Sequence, residues 1–177
     1  MRIIAGTHRG RRIAAPKGMA TRPTGDRVRE AVFNLIGPVD GATVLDLFAG
    51  SGAMGLEALS RGARHCVFVD SDRGVAQVIR ANLDSLELTD ASILARDAID
   101  VLRQEGAAGR LYDLVLVDPP YADWAGLEPR HVDALPQVLE GDGRVVVETA
   151  ARTEPHLGLD LVTSRRYGSA RISVFSR

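Results

Sequence analysis

The stretch Val44-Leu45-Asp46-Leu47-Phe48-Ala49-Gly50-Ser51-Gly52-Ala53-Met54-Gly55 decides how this chain folds. Val44, Leu45, Leu47 and Phe48 make a short apolar run, the mark of a strand buried on both faces. One carboxylate, Asp46, interrupts it, and Gly50, Gly52 and Gly55 follow in the spacing GxGxxG. Glycine admits positive φ and lets a ligand come close to the backbone. A helix opening near Ala53 would aim its unpaired N–H groups, and the positive end of its dipole, back at the turn. A strand–turn–helix of this kind holds an anion, either a phosphate or a carboxylate. The dinucleotide fingerprint has the same glycines, and Asp70 lies about where that fingerprint places a ribose-binding acid. Three glycines alone also fit a tight turn or close helix–sheet packing, so other residues must decide the ligand.

Outward from this stretch, strand and helix alternate. The apolar runs and turn residues predict strands over 43–48, 65–69, 92–95, 112–117 and 144–148. Helices are predicted from Ala53 to Ser60, over 73–86 with Asp72 as its cap, after Asp97, and over 131–139. Two closing strands, 157–165 and 170–176, meet around Tyr167-Gly168-Ser169. Upstream, Arg2-Ile3-Ile4-Ala5 and Arg12-Ile13-Ala14-Ala15 flank Gly6-Thr7-His8-Arg9-Gly10 and predict a β-hairpin with a basic tip. Val28, Ala31, Val32, Leu35 and Ile36 share one face of a helix over 26–36, capped by Thr24 or Asp26 and stopped by Gly37-Pro38. Repeated βα units mean an α/β fold, a mostly parallel sheet of seven strands with helices on both faces. The short last connection makes the C-terminal edge antiparallel. Residues 1–37 are expected to form a basic extension and 38–177 the main domain.

Composition narrows the class. With 45% apolar and 25% charged residues, the chain reads as a soluble globular protein. It contains no apolar run of about 18 residues that would span a membrane. Its start, Met1-Arg2-Ile3-Ile4, has no signal-peptide core. Cys66 is the single cysteine and sits in the apolar run Cys66-Val67-Phe68, as a core thiol would. His8, His65, His131 and His156 show no ligand spacing, so no metal site is expected. These features suggest a cytoplasmic protein, with a monomer as the default. The net charge of −1 hides an asymmetry: residues 1–29 carry +7 and the rest −8. A basic block on an acidic body suggests a polyanionic partner such as nucleic acid.

In an open α/β sheet, ligands sit beyond the carboxyl ends of the strands. Those ends carry Asp46 with Gly50 and Gly52, then Asp70, Asp97, and Asp118-Pro119-Pro120-Tyr121. One such acid is commonly a helix cap, and Asp97 reads equally well as that; four along one edge suggest a site. Asp118 and the Pro119 carbonyl offer two acceptors, Pro120 has no N–H, and Tyr121 offers a flat face. That set suits an exocyclic amine on a flat heterocycle, stacked on the tyrosine. Trp124 could be a lid, a stacking residue or plain packing, and Glu148 reads as structural.

Leu45-Asp46-Leu47-Phe48-Ala49-Gly50-Ser51-Gly52 together with Asp118-Pro119-Pro120-Tyr121 resembles motifs I and IV of the class I S-adenosylmethionine-dependent amino methyltransferases, whose fold is Rossmann-like. Arg2-Ile3-Ile4-Ala5-Gly6, Arg9-Gly10-Arg11, Arg22-Pro23-Thr24, Asp26-Arg27-Val28-Arg29-Glu30 and Gly55-Leu56-Glu57-Ala58-Leu59-Ser60-Arg61-Gly62 resemble, more narrowly, the bacterial 16S ribosomal RNA guanine-N2 methyltransferase family. The resemblance covers nearly the whole chain. It implies transfer of a methyl group from S-adenosylmethionine, leaving S-adenosylhomocysteine, with 16S rRNA or the small ribosomal subunit as partner. Asp46, Gly50 and Gly52 would hold the methionine end, Asp70 the ribose, and Asp97 with the Ala98 backbone the adenine. Asp118, Pro119 and Tyr121 would hold the target guanine, and Arg9, Arg11, Arg12, Arg22, Arg27 and Arg29 the RNA phosphates. Asp70 stands where the family would have Glu, Met54 where it has Leu, and Phe175 where Tyr is common.

Three rivals stay open. An adenine-N6 methyltransferase on DNA or RNA would use the same Asp118-to-Tyr121 motif. A nicotinamide-dependent oxidoreductase would use the glycines but leave that motif unexplained. A non-catalytic RNA-binding assembly factor would keep the fold without needing the motif intact.

Overall fold

The computed structural model describes residues 1–16 and 25–177. Elements run in the order α1 (Asp26–Ile36), β1 (Thr43–Leu47), α2 (Ala53–Ser60), β2 (His65–Asp70), α3 (Arg73–Leu86), β3 (Ala91–Ala95), α4 (Ala98–Ala107), β4 (Tyr112–Val117), α5 (Trp124–Ala134), β5 (Leu139–Ala150), β6 (Asp160–Tyr167) and β7 (Ala170–Ser176). Among the described residues they build one seven-stranded sheet in the order β3-β2-β1-β4-β5-β7-β6. The first five strands in that order run parallel, while β7 pairs antiparallel with both β5 and β6. The Rossmann-like architecture with an antiparallel C-terminal edge is the one anticipated.

Alternation along the central strands divides the core into two apolar layers. Val44, Phe68, Leu114 and Leu116 face a layer completed by Ile3, Ile13, Val32, Phe33, Leu56 and Ile79. Leu45, Leu47, Val67, Val115 and Val117 face the other, with Ile99, Leu102, Trp124 and Leu135. Residues from the first 37 therefore share a core with α2, α3 and the sheet. The N-terminal hairpin forms, but as a narrow arm: Arg2 and Arg12 make an isolated antiparallel bridge, and Ile3 N–H donates to the Arg11 carbonyl.

Several boundaries differ from those expected. The helix placed at 131–139 begins at Trp124, carries Pro129 inside it, and passes into a 3₁₀ turn, Leu135–Val138. Strand β5 starts at Leu139, with an irregularity before Arg144, and not at 144. The first C-terminal strand starts at Asp160 and extends to Tyr167. Gly25, without a side-chain bond, caps α1, and Asp26 lies inside the helix; Thr24 lies outside the described residues. Asp72 caps α3 as expected, accepting from Gly74 and Val75 N–H.

Candidate active site

The chain leaves β1 for β2 on one side and returns for β4 on the other. That reversal opens a crevice at the carboxyl edge between β1 and β4. Register aligns Leu47 with Val69 on one flank and Val117 on the other, and Val117 with Val147. The next residues therefore form a row across the edge, Asp70, the glycine turn, Asp118 and Glu148, with Asp97 two residues past Ala95, the partner of Asp70 on the outer strand. Asp118 N–H approaches the Leu47 carbonyl at 3.5 Å, which keeps the two motifs side by side.

The glycine turn is built on left-handed backbone. Phe48 has φ of 59°, Gly50 55° and Gly52 78°. A β-carbon on Gly50 would find no neighbour nearer than the Phe48 carbonyl oxygen at 3.9 Å, so space for a ligand stands open beside it. Gly55 has a different task, since a β-carbon there would meet Phe68 Cε1 at 2.3 Å and Cys66 Sγ at 2.6 Å. The third glycine seats α2 against β2.

Carboxylates latch this turn in place. Asp70 Oδ2 accepts from Gly50 N–H at 3.1 Å and its Oδ1 from Asp72 N–H at 3.0 Å. Asp46 is 2% exposed, under the turn, with Oδ2 accepting from Gly55 N–H at 2.9 Å. Burial pushes the Asp46 carboxyl up to about 7, with the Asp70 charge adding to the rise and the Gly55 bond opposing it. Asp97 is exposed and caps α4 through Oδ1, which accepts from Ile99 and Asp100 N–H. Arg130 stands 4.0 Å from that same oxygen. Ala98 is buried at the first position of α4.

Pro119 is buried, whereas Tyr121 is half-buried and donates its hydroxyl to Glu148 Oε1 at 2.7 Å. Glu148, read from the sequence as structural, is the residue that fixes the tyrosine. Trp124 is buried, not a lid. Its ring stacks on His131 at 5.9 Å between centroids, and His131 in turn lies 5.9 Å from Phe48. His131 Nδ1 faces the Leu127 carbonyl at 2.8 Å. That nitrogen must carry the proton, because a carbonyl only accepts. Burial lowers the His131 pKa, favouring the neutral ring. This aromatic stack braces Phe48 in its left-handed conformation, a role that four scattered histidines did not suggest.

The predicted RNA-contacting arginines divide. Arg9, Arg11, Arg12 and Arg27 are exposed, with Arg11 Nη2 donating to the Ser85 carbonyl. Arg22 lies outside the described residues. Arg29 corrects the expectation. It is 1% exposed, donates to the Arg2 carbonyl and Asp26 Oδ1, and lies 3.7 Å from Glu57. Its guanidinium belongs to the fold, because the apolar face of α1 turns it inward. Among the described residues, no group of three or more His, Cys, Asp or Glu is placed to hold a metal ion. No helix there is long and apolar enough to cross a membrane.

Residues 1–176 match the family described as Conserved hypothetical protein 95. The chain belongs to that family. Among its relatives is the Bacillus subtilis protein YlbH, provisionally named an rRNA methyltransferase, 40% identical over 182 residues, 100% of this chain and 99% of its own. Ribosomal RNA small subunit methyltransferase D of Escherichia coli is 44% identical over 122 residues, 68% of this chain; the match spans 60% of that relative's length. The solved structure of yhhF from Escherichia coli, provisionally named a methyltransferase, is 34% identical with a TM-score of 0.87, covering 100% of this chain and 97% of its own. A more distant protein, SMU.776, provisionally named a methyltransferase and solved with S-adenosylhomocysteine, shares the fold at 17% identity with a TM-score of 0.65, over 86% of this chain and 49% of its own.

Proposed function

We propose that this chain transfers a methyl group from S-adenosylmethionine to the exocyclic N2 of a guanine in the RNA of the small ribosomal subunit. The observation that carries the proposal is the adjacency of the glycine turn to Asp118-Pro119-Pro120-Tyr121 across the β1–β4 crevice. The names of the relatives and the basic N-terminal arm support RNA as the substrate.

The residues present fit the cofactor. The open space beside Gly50 and the start of α2 suit its carboxylate, Asp46 beneath the turn suits a cationic group, and Asp70 retains lone pairs for ribose hydroxyls. Asp97 and the Ala98 backbone would meet the adenine. Bound there, S-adenosylmethionine supplies a methyl group already made electrophilic by its sulfonium.

The chain's own residues then act on the nucleophile. Asp118 and the Pro119 carbonyl accept the two amine hydrogens, while Tyr121 supports the ring. An aryl amine is a poor nucleophile because its lone pair is delocalised into the ring. Two acceptors favour the pyramidal nitrogen whose lone pair is available, and the Asp118 charge stabilises the ammonium that develops, which then gives up one proton to leave the neutral methylamine. Holding both reactants in one crevice removes the entropy cost of their encounter, worth up to about 7–11 kcal/mol in favourable cases. The bond from Tyr121 to Glu148 keeps the platform from turning. The base must reach the crevice unpaired or flipped from its stack.

The test is methyl transfer from labelled S-adenosylmethionine to small subunits isolated from cells lacking this gene, followed by nucleoside analysis. The expected product is N2-methylguanosine. N6-methyladenosine would replace the guanine assignment with the adenine one, and failure to bind S-adenosylmethionine would refute the reaction class.

A further inference from the structure

Asn82 interrupts the apolar face of α3 between Ile79 and Leu83, yet it is only 3% exposed. Its Nδ2 donates to the Ala14 carbonyl and to the Ser51 carbonyl, each at 3.0 Å, and its Oδ1 accepts from Ala14 N–H at 2.8 Å. Both carbonyls can only accept, so the orientation of the amide is set by its partners. One buried side chain thus joins the second strand of the N-terminal arm to the middle residue of the glycine turn.

The arm is fastened a second time on the far side of that turn. Glu57, fully buried on α2, accepts from Ile4 N–H at 2.8 Å and Ala5 N–H at 2.9 Å. Ser60 donates to the Ala5 carbonyl at 2.6 Å and accepts from His8 N–H at 3.0 Å. The helix whose first turn follows Gly52 is therefore the helix that grips the arm, and α3 bridges arm and turn directly. Between these anchors the arm carries the exposed Arg9, Arg11 and Arg12.

We infer that Asn82 is a positioning residue that couples the cofactor turn to the RNA-contacting arm, so that filling one sets the placement of the other. The inference rests on the cofactor and RNA reading above. If the turn shifted without the arm, Asn82 could not keep its bonds to both, and its own buried amide would be left with an unpaired donor or acceptor, at a cost. The two segments move together because that is cheaper than parting. By linkage the coupling is reciprocal: the factor by which cofactor tightens RNA binding equals the factor by which RNA tightens cofactor binding. A single clasp of this kind belongs at the lower end of such couplings, about fivefold.

The experiment is hydrogen exchange of the full chain with and without S-adenosylhomocysteine, alongside calorimetric titration of that ligand. In the wild type, the ligand slows exchange at Gly50 and Gly52 and also at Gly10, Ile13 and Ala14 in the arm. In Asn82→Ala the slowing is confined to the turn, and the roughly fivefold tightening of S-adenosylhomocysteine by RNA, and of RNA by S-adenosylhomocysteine, is lost. A residue that served stability alone would leave the ligand's effect on the arm intact. Asn82→Asp, of the same shape but with an oxygen facing the two carbonyls, uncouples in the same way and serves if the alanine variant does not fold. Slowing at the turn with an unchanged arm in the wild type overturns the inference alone. Failure of S-adenosylhomocysteine to bind the wild type overturns the cofactor reading, and this inference with it.

Discussion

Replacing Asp46 by asparagine tests the electrostatics under the glycine turn. The Asp46 carboxyl is held at about 7 in the folded chain, chiefly by desolvation, whereas an unfolded chain titrates it near about 3.9. The folded state thus binds this proton more tightly. Its contribution to stability is complete below the unfolded value and is lost as pH rises through the folded one. Between about pH 5 and about pH 8.5, roughly two units of that loss fall, at about 1.4 kcal/mol each, or about 3 kcal/mol. Asparagine has no such ionisation, and its Oδ1 can still accept from Gly55 N–H. Its extra N–H donors add a cost of about 1–3 kcal/mol if unpaired, but one that does not vary with pH. The decisive quantity is therefore the change with pH in the stability difference between variant and wild type. Thermal unfolding in matched buffers should show the wild type losing about 6–12 °C relative to Asp46→Asn over that pH span, at about 2–4 °C per kcal/mol for a chain of this size. A difference that stays flat with pH, or that moves the other way, would refute the assignment of a desolvated carboxyl at this position.

Other perturbations separate packing from chemistry. Gly55→Ala forces a methyl group against Phe68 and Cys66 and should cost about 1–3 kcal/mol, read as a lowered unfolding midpoint. Were Gly55 a ligand-contacting residue, the same change would weaken cofactor binding and leave the midpoint alone. Asp118→Ala should lower the transfer rate about 100-fold or more, with S-adenosylhomocysteine affinity within about threefold of wild type. Tyr121→Phe keeps the ring, loses the hydroxyl bond to Glu148, and should cost about tenfold in rate in the same assay. Arg9→Ala combined with Arg12→Ala should weaken RNA binding with the unfolding midpoint unchanged. The slope of log affinity against log salt should become shallower by about 0.7–0.9 for each phosphate that the variant no longer neutralises.

Much of this site is legible in the linear chain because its signals are local. Asp46, Gly50 and Gly52 lie within one strand and turn, and Asp118 to Tyr121 are contiguous. The carboxyl-edge rule places such residues in one row before any contact is known. The features that the linear chain conceals depend on partners distant in sequence. Glu148 gains its role from the Val117–Val147 register, which sets it beside Asp118 and under Tyr121. Arg29 reads as one more cation of a basic segment, and only the packing of α1 beside Glu57 turns it inward. The early start of α5 is hidden because Pro129 lies within its span, although the helix carries through it.

By itself the sequence determined the alternation of strands and helices, the parallel sheet with its antiparallel end, and the set of acids at the carboxyl edge. Periodicity and turn residues act over a few positions, and the strand count and connections leave few ways to bury the apolar faces. Only the tertiary structure decided what each polar side chain does there. Asp46 and Asp70 latch the turn, Asp97 caps a helix, and His131 and Trp124 brace Phe48. Asn82 ties the turn to an arm 68 residues away. A buried polar group must find its partner in three dimensions, and the spacing of residues along the chain does not record which partner it finds.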